Sequence, residues 1–461
     1  MTAKSAAGAD LQAALDRFVA DNRLPGAAAA VVCENELAWQ GETGLAYVAA
    51  RRPAAPGTLY RIASITKTFT GAAVMRLRDA GSLDLDEPAV AYLPELRGAA
   101  SPFGPIEAVT IRRMLCHESG LAIDPPGTDW SVPRYQGSPE TTLASAAELS
   151  VKVAPSSQHK YSDLSYQLLG EIVTRVSGVP YPRYLRESVL NPLGMTATGF
   201  EPLAGPLQDR CATGYDWLGP AGEFVSVPGV GPVWAEGGLW SSAEDMATWM
   251  LFQLGGYGGA SEGSAVLAPA SLREMHKPRY LADDGWSRAW GISWCGFRKD
   301  DHLWIQHGGG LPGFTSILCF DPARAVGAVV LVNGTSAGAD IGYELASIIR
   351  AAIPAPRRSG DVSVAPAEYL PLLGVYSRPH LGGWVMRLEW QAGELVFVSP
   401  ELPGWKLALL STSHPDVFTV EPGSNFAGED VVFRRLADGR VASVLLVESS
   451  YARLDPLGPG A

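Results

Sequence analysis

Three short stretches of this 461-residue sequence carry residue types able to act on one another chemically. In RIASITKTFT, residues 61 to 70, Ser64 stands three positions before Lys67. A serine hydroxyl is a poor nucleophile until a base takes its proton, and positions i and i+3 of a helix share a face, so this lysine can reach it. A helix amino terminus favours developing negative charge, and burial lowers an ammonium pKa towards the range of a base. Taken alone, the pattern equally describes a polar helix start followed by an exposed lysine. Ser157 and Lys160, in PSSQHKYS, repeat the spacing, but they follow a proline in a polar stretch and read as loop.

The second stretch, YSDLSYQLLGEIV, places Tyr161 and Asp163 just ahead of an apolar helix. A phenol there can relay a proton; Asp163 reads either as a helix cap or as an anion beside a lysine. The third, HGGGLPGF, places His307, Gly308, Gly309 and Gly310 ahead of a strand, where glycines admit a substrate backbone and leave N–H donors free. A competing nucleophile is Ser336 in GTSAG, a G-x-S-x-G match between a strand and a helix. That elbow belongs to a parallel sheet, whereas the preceding strand reads as closing an antiparallel hairpin. Downstream histidines for a triad reduce to His380 and His414, so a plain turn competes with it. The histidines show no HExxH or HxxxH spacing, so no metal site is expected, and His117 reads as structural.

The elements that must position these groups are legible in outline. Leu11, Leu15, Phe18 and Val19 give an N-terminal helix, and AAAAVVCENELAWQG gives two strands about a Glu34-Asn35 turn. SITKTFTGAAVMRLRDAG is a helix with Phe69, Ala72, Ala73 and Leu77 on one face and Gly81 ending it. LSYQLLGEIVTRVSG, SAEDMATWMLFQLGG and DIGYELASIIRAAI are further helices. WGISWCGF, GFTSILCF and AVGAVVLV read as strands, the last two joined through DPARA. The Pro-, Ser- and charge-rich segment 354–365 reads as a linker. From 366 onward nearly everything reads as strand, with hairpin signals at an Ala-Gly pair and at Asp438-Gly439.

Composition sets bounds on function. The length exceeds one ordinary domain, and 47% hydrophobic with 18% charged residues suits a folded protein. A net charge of -12 argues against nucleic-acid binding by bulk attraction. No apolar run approaches a membrane span, and the amino terminus lacks the apolar core of a signal peptide. Five scattered cysteines fit a reduced, cytoplasmic setting. Among the thirteen tryptophans, Trp130, Trp234, Trp240 and Trp290 lie near motifs or in loops, where they would be core or line an apolar acyl pocket.

At the ordered motifs SITK, YSD and HGG the sequence resembles the serine β-lactamase and penicillin-binding-protein superfamily, in its class C-like branch of β-lactamases, family VIII esterases, D-aminopeptidases and related serine hydrolases. YSD stands in the place of Tyr-x-Asn, and HGG in that of Lys-Thr-Gly. MLCHESGL around His117 and GGLWSSAEDMA around Trp240 also look like the family, and the resemblance spans residues 10 to 352. It implies an α+β fold, an antiparallel sheet with terminal helices on one face and a mostly helical region on the other, at residues 1–353. A small all-β domain, lipocalin- or barrel-like, would follow at 366–461.

The resemblance further implies that Ser64 is acylated and that Lys67 and Tyr161 share general base and acid work. The N–H groups of Ser64 and Gly310 would form the oxyanion hole, with Asp163, His307, Gly308, Gly309 and Trp240 facing substrate. Two departures carry consequences. A neutral imidazole at 307 binds a carboxylate less strongly than an ammonium would. An aspartate at 163 would hold Lys67 charged and weaken it as a base, leaving proton removal to lean on Tyr161. The expected activity is hydrolysis of a carboxylic ester or of an unspecialised amide, with carboxylesterase the leading reading, without cofactor or metal. D-amino-acid amide or β-lactam hydrolysis, acyl transfer and a catalytically silent scaffold are the alternatives. The partner would be a small-molecule substrate, with no nucleic acid and no membrane, and the oligomeric state stays open.

Overall fold

The computed structural model describes residues 3–125, 139–201, 203, 205–218, 223–226, 235–257, 266–283, 287–299, 302–335, 340–352, 365–377, 385–391, 393–399, 406–421, 426, 428–446 and 449–454. The chain divides into two compact units, Met1–Ala355 and Pro356–Ala461. The segment expected as a linker lies outside the described residues except for Ala365, as do Ser336, Trp130, Trp234 and His380.

The first unit is built on an antiparallel sheet. Its nine described strands run in the order Arg52–Pro53, Glu36–Tyr47, Gly26–Cys33, Val326–Val332, Phe314–Asp321, His302–Leu311, Cys295–Lys299, Arg288–Trp290 and Tyr280–Leu281. Gly26–Cys33 pairs with Val326–Val332 from Ala27↔Val332 to Cys33↔Val326, so chain-distant strands meet in mid-sheet. Glu34 and Asn35 both take positive φ (54° and 64°), the backbone of a primed two-residue hairpin. In the DPARA turn the Asp321 carboxylate accepts from the N–H groups of Ala323 and Arg324, which tightens the chain reversal.

Alternation along the central strands assigns the two faces. Ala27, Ala29, Val31 and Cys33 pack with Leu11, Leu15, Ile341 and Leu345, which come from the helices Ala3–Asp21 and Asp340–Ala352. Ala28, Ala30 and Val32 point the other way, into a larger core with the helices Thr66–Asp79, Asp163–Ser177 and Ala243–Leu254. Cover on both faces is why these strands read as unbroken apolar runs. In the larger core Phe69 stacks on Trp249 at 3.8 Å and 14°. The indole N–H of Trp249 donates to Thr68 Oγ1 at 3.0 Å, so the helix that carries Lys67 is pinned by a ring and a hydrogen bond together.

One expected strand is broken. WGISWCGF is not continuous: Arg288–Trp290 and Cys295–Lys299 flank a turn in which Ser293 has φ 63°. The turn's N–H groups are taken by other elements, Ile292 by Met275 O and Ser293 by Leu115 O. A Cβ at Gly291 would lie 2.4 Å from Met275 O, so only glycine permits that approach. The apolar residues of this stretch are buried by tertiary contact, not by a ladder, and periodicity alone does not separate the two cases.

The second unit is a closed barrel of eight antiparallel strands, Gly374–Ser377, Val385–Gln391, Glu394–Val398, Lys406–Ser411, Val417–Val420, Asp430–Arg435, Val441–Leu446 and Ser449–Arg453. First and last strands pair at Tyr376↔Arg453, which leaves no free edge. Positive φ at Gly393 and Gly439 turns two of its hairpins. Tyr376, Met386, Leu388, Phe397, Phe433 and Tyr451 are among the buried side chains of its core, in keeping with the narrow bore of eight strands. No helix among the described residues is long and apolar enough to cross a membrane.

Candidate active site

Ser64 lies in a short 3-10 turn, Ala63–Ile65, that runs directly into the Thr66–Asp79 helix. Ala63 takes φ 47°, a left-handed conformation unfavourable for a residue with a Cβ, so the surrounding contacts must hold it. Ile62 N–H donates to Leu239 O at 3.0 Å, and Ser316 Oγ donates to Ile62 O at 2.8 Å. Gly309 packs onto the same turn: a Cβ there would stand 2.3 Å from Ile62 O and 3.1 Å from the Ala63 Cβ. The glycine strand thus meets the serine turn directly, while Gly310 is exposed with open space at its Cβ position.

Lys67 is fully buried, and its ammonium is surrounded by oxygens. It donates to Ser64 Oγ at 3.0 Å and to Glu236 O at 2.6 Å, and it pairs with Asp163 Oδ1 at 2.5 Å. The Tyr161 phenol lies beside this lysine, whose Nζ is 5.1 Å from the ring centre, and both Lys67 and Ser64 act on its titration. Burial by itself would lower the lysine pKa, but Asp163 and then Tyr161 outweigh it, and the ammonium is held well above its ordinary range. The phenol of Tyr161 is also pushed up, by burial first and by Asp163, against the opposing pull of Lys67 and Ser64. At neutral pH the resting pair is an ammonium and a neutral phenol.

The cap of the helix Asp163–Ser177 is Ser162, whose Oγ accepts from Ser165 N–H at 3.0 Å. The capping role open to Asp163 in the sequence therefore falls to its neighbour, and the Asp163 carboxylate faces Lys67 instead. His307 is buried; its Nδ1 donates to Gly308 O at 2.6 Å, the only sense that a carbonyl allows. Burial, and then the Lys67 charge, push the imidazole pKa down to about 3. The ring is neutral with a lone pair on Nε2, which has no hydrogen-bond partner among the described residues.

A sequence model of the beta-lactamase family matches residues 11–352. The chain belongs to the beta-lactamase family. Among curated proteins, Protein flp of Staphylococcus aureus is 28% identical over 339 residues, which cover 70% of this chain and 63% of flp, under two thirds of its length. Protein Rv1367c of Mycobacterium tuberculosis is 34% identical over 294 residues, 58% of this chain and 71% of that one. Among solved structures, the octameric penicillin-binding protein homologue from Pyrococcus abyssi superposes with a TM-score of 0.62 at 22% identity, covering 96% of this chain and 99% of that chain. A D-stereospecific amidohydrolase from Streptomyces sp. gives 0.60 at 22%, covering 75% and 98%. A class C beta-lactamase mutant gives 0.62 at 19%, also covering 75% and 98%. At these identities the superpositions show the beta-lactamase-like fold.

Within this member of the beta-lactamase family, the structure brings Ser64, Lys67, Tyr161 and Asp163 together and sets Gly309 against their turn. Trp240 is only 5% exposed, its ring held under the Arg61 guanidinium at 5.1 Å and against Phe314 at 5.4 Å, a wall beside the turn. Trp290 is buried edge-on to His307 at 5.4 Å. The second serine-lysine pair, Ser157 and Lys160, lies in a loop where Ser157 Oγ donates to Ala154 O. Two contributors to the site are not legible from the sequence motifs. Ser316 lies opposite Gly309 in the ladder, beside Thr315 at the start of a strand that is otherwise apolar up to Asp321, and Glu236 acts through its backbone carbonyl, which no side-chain pattern reveals. Among the described residues no group of three or more His, Cys, Asp or Glu is placed to hold a metal ion.

Proposed function

We propose that this protein is a serine hydrolase that cleaves a carboxylic ester lacking a free carboxylate, through an acyl-Ser64 intermediate. The contact that carries the reading is the 3.0 Å approach of Lys67 Nζ to Ser64 Oγ, with the Tyr161 phenol beside the same lysine. In the form of the coupled Lys67–Tyr161 pair that has lost one proton, Ser64 Oγ attacks the ester carbonyl carbon while its own proton passes into that pair. The N–H groups of Ser64 and Gly310 stabilise the oxyanion, the C–O bond to the alcohol breaks, and the pair returns the proton to the leaving alkoxide. Water then attacks the acyl-enzyme with the same pair as base, which frees the acid and regenerates Ser64.

His307 supports the restriction on substrate. Its ring is neutral, so it presents no positive charge to attract a carboxylate. A neutral ring also sets no like charge against a free ammonium, which favours a second reading, hydrolysis of amides of D-amino acids; a D-stereospecific amidohydrolase from Streptomyces sp. shares the fold. A cytoplasmic setting with small-molecule partners belongs to the first reading; the octameric state of the Pyrococcus homologue makes self-assembly worth measuring.

The test is hydrolysis of p-nitrophenyl butyrate by the wild type, Ser64→Ala and Ser336→Ala, with labelling by a fluorophosphonate. Loss of both at Ser64 alone supports the reading. Activity that survives at Ser64 and disappears at Ser336 overturns it, and no activity or labelling in any form leaves a silent scaffold. A panel of esters, D-amino-acid amides, β-lactams and alcohol acceptors then separates hydrolysis from acyl transfer, and a requirement for a free amine selects the second reading.

A further inference from the structure

We infer that His117 is a positioning residue that sets the phenol of Tyr161 against Ser64 and Lys67; the inference rests on the reading above in which Tyr161 moves the Ser64 proton. One residue grips the tripeptide around Tyr161 at three points. The His117 carbonyl accepts from Lys160 N–H at 2.9 Å, and its Nδ1 accepts from Ser162 N–H at 3.1 Å. Its ring lies on the Tyr161 ring at 4.1 Å with 26° between planes. The backbone before Tyr161, the backbone after it and the ring itself are thereby fixed from one side chain and its own peptide.

The grip extends to the neighbouring anion. Ser162, held through its N–H, caps the helix with Oγ, and the first residue of that helix is Asp163, the partner of Lys67. His117 occupies this place at φ 58°, just after the Ile111–Leu115 helix, a backbone conformation seldom taken by residues with a Cβ. Such a conformation persists where the surroundings over-determine it.

The hydrogen bonds also fix the tautomer. A peptide N–H only donates, so Nδ1 carries the lone pair and the ring proton sits on Nε2, which has no hydrogen-bond acceptor among the described residues. Trp290 and His159 stand edge-to-face at 4.7 Å and 6.0 Å and Tyr166 is tilted at 5.2 Å, and these rings enclose the imidazole. Burial first, then Lys67, His307 and His159, push its pKa well below the ordinary histidine value. An imidazolium would direct a second proton at Ser162 N–H and release the grip, and this environment prevents that.

A double-mutant cycle tests the assignment, using p-nitrophenyl butyrate and the full chain with His117→Asn, Tyr161→Phe and the pair. Asparagine tolerates positive φ and keeps an accepting oxygen, but it lacks the stacked ring. The expectation is a fall in kcat of about 10- to 100-fold for His117→Asn, the scale of a misplaced catalytic group, with KM within about threefold. In the Tyr161→Phe background, where no hydroxyl is left to position, the same substitution costs under about threefold. Equal losses in both backgrounds, or no loss in either, overturn the inference. Full activity of Tyr161→Phe by itself overturns the underlying reading of Tyr161 and takes the inference with it. Should the asparagine variant lack native near-ultraviolet circular dichroism, His117→Gln is read through the same cycle with the same limits.

Discussion

Replacing Asp163 by asparagine removes the negative charge 2.5 Å from the Lys67 ammonium and leaves the side chain nearly isosteric. At an effective dielectric of about 20, a charge pair at that separation is worth about 6–7 kcal/mol. The carboxylate is 20% exposed and the asparagine oxygen still accepts a hydrogen bond, so roughly half, about 3 kcal/mol, is a realistic share, equal to about two powers of ten in a protonation equilibrium. The sign follows from which form reacts. The active form of the Lys67–Tyr161 pair has lost one proton, and Asp163 raises the pKa of both members, so it opposes that loss whichever residue gives it up. Asp163→Asn therefore moves the acid limb of the kcat/KM profile to lower pH by at least one unit. It raises kcat/KM for p-nitrophenyl butyrate at pH 7 by about tenfold or more. Stability changes in the opposite sense. The raised Lys67 pKa stabilises the fold below the unfolded lysine pKa, and that contribution fades only as pH climbs through the folded value. The variant accordingly has a lower Tm at neutral pH, with the gap closing at strongly alkaline pH. An unmoved limb would refute the electrostatic reasoning, and a loss of activity at every pH would show that Asp163 itself receives a proton.

Two glycines separate fold from chemistry. Gly309→Ala forces a Cβ onto Ile62 O and Ser316 Oγ, both at 2.3 Å, so it displaces the Ser64 turn and lowers Tm and kcat together. Gly310→Ala meets no atom within 4 Å, so thermal unfolding stays near wild type, within about 0.5 kcal/mol, while kcat/KM falls through obstruction of the substrate. His307→Lys replaces a neutral acceptor by a donor cation; the ratio of kcat/KM for a carboxylate-bearing monoester to that for its neutral diester rises about 10- to 100-fold, as for a hydrogen bond to a charged group. An unchanged ratio would remove His307 from substrate selection. Ser316→Ala removes the shorter of two hydrogen bonds to Ile62 O, leaving the 3.2 Å bond from Ile65 N–H at the left-handed turn, and kcat falls with little change in KM; an unchanged kcat would show that Ala63 needs no such support.

The sequence by itself determined whatever depends on neighbours along the chain. Helical spacing set Ser64 and Lys67 on one face, AAAAVVCENELAWQG read as two strands, and Glu34-Asn35 and Asp438-Gly439 announced their hairpins through the φ angles their turns require. Tertiary structure alone decided convergence. Ser157 and Lys160 share the spacing of Ser64 and Lys67, yet only Lys67 is buried against Asp163, Tyr161 and the carbonyl of Glu236. WGISWCGF has the apolar composition of a strand but turns back where Met275 and Leu115 take its N–H groups. His117 reads as one more core residue until its two hydrogen bonds and its stacked ring are seen to meet on either side of Tyr161. Periodicity reports how each residue faces its own element, whereas a site is a meeting of elements distant in the chain, fixed by packing and by the need of every buried polar group for a partner.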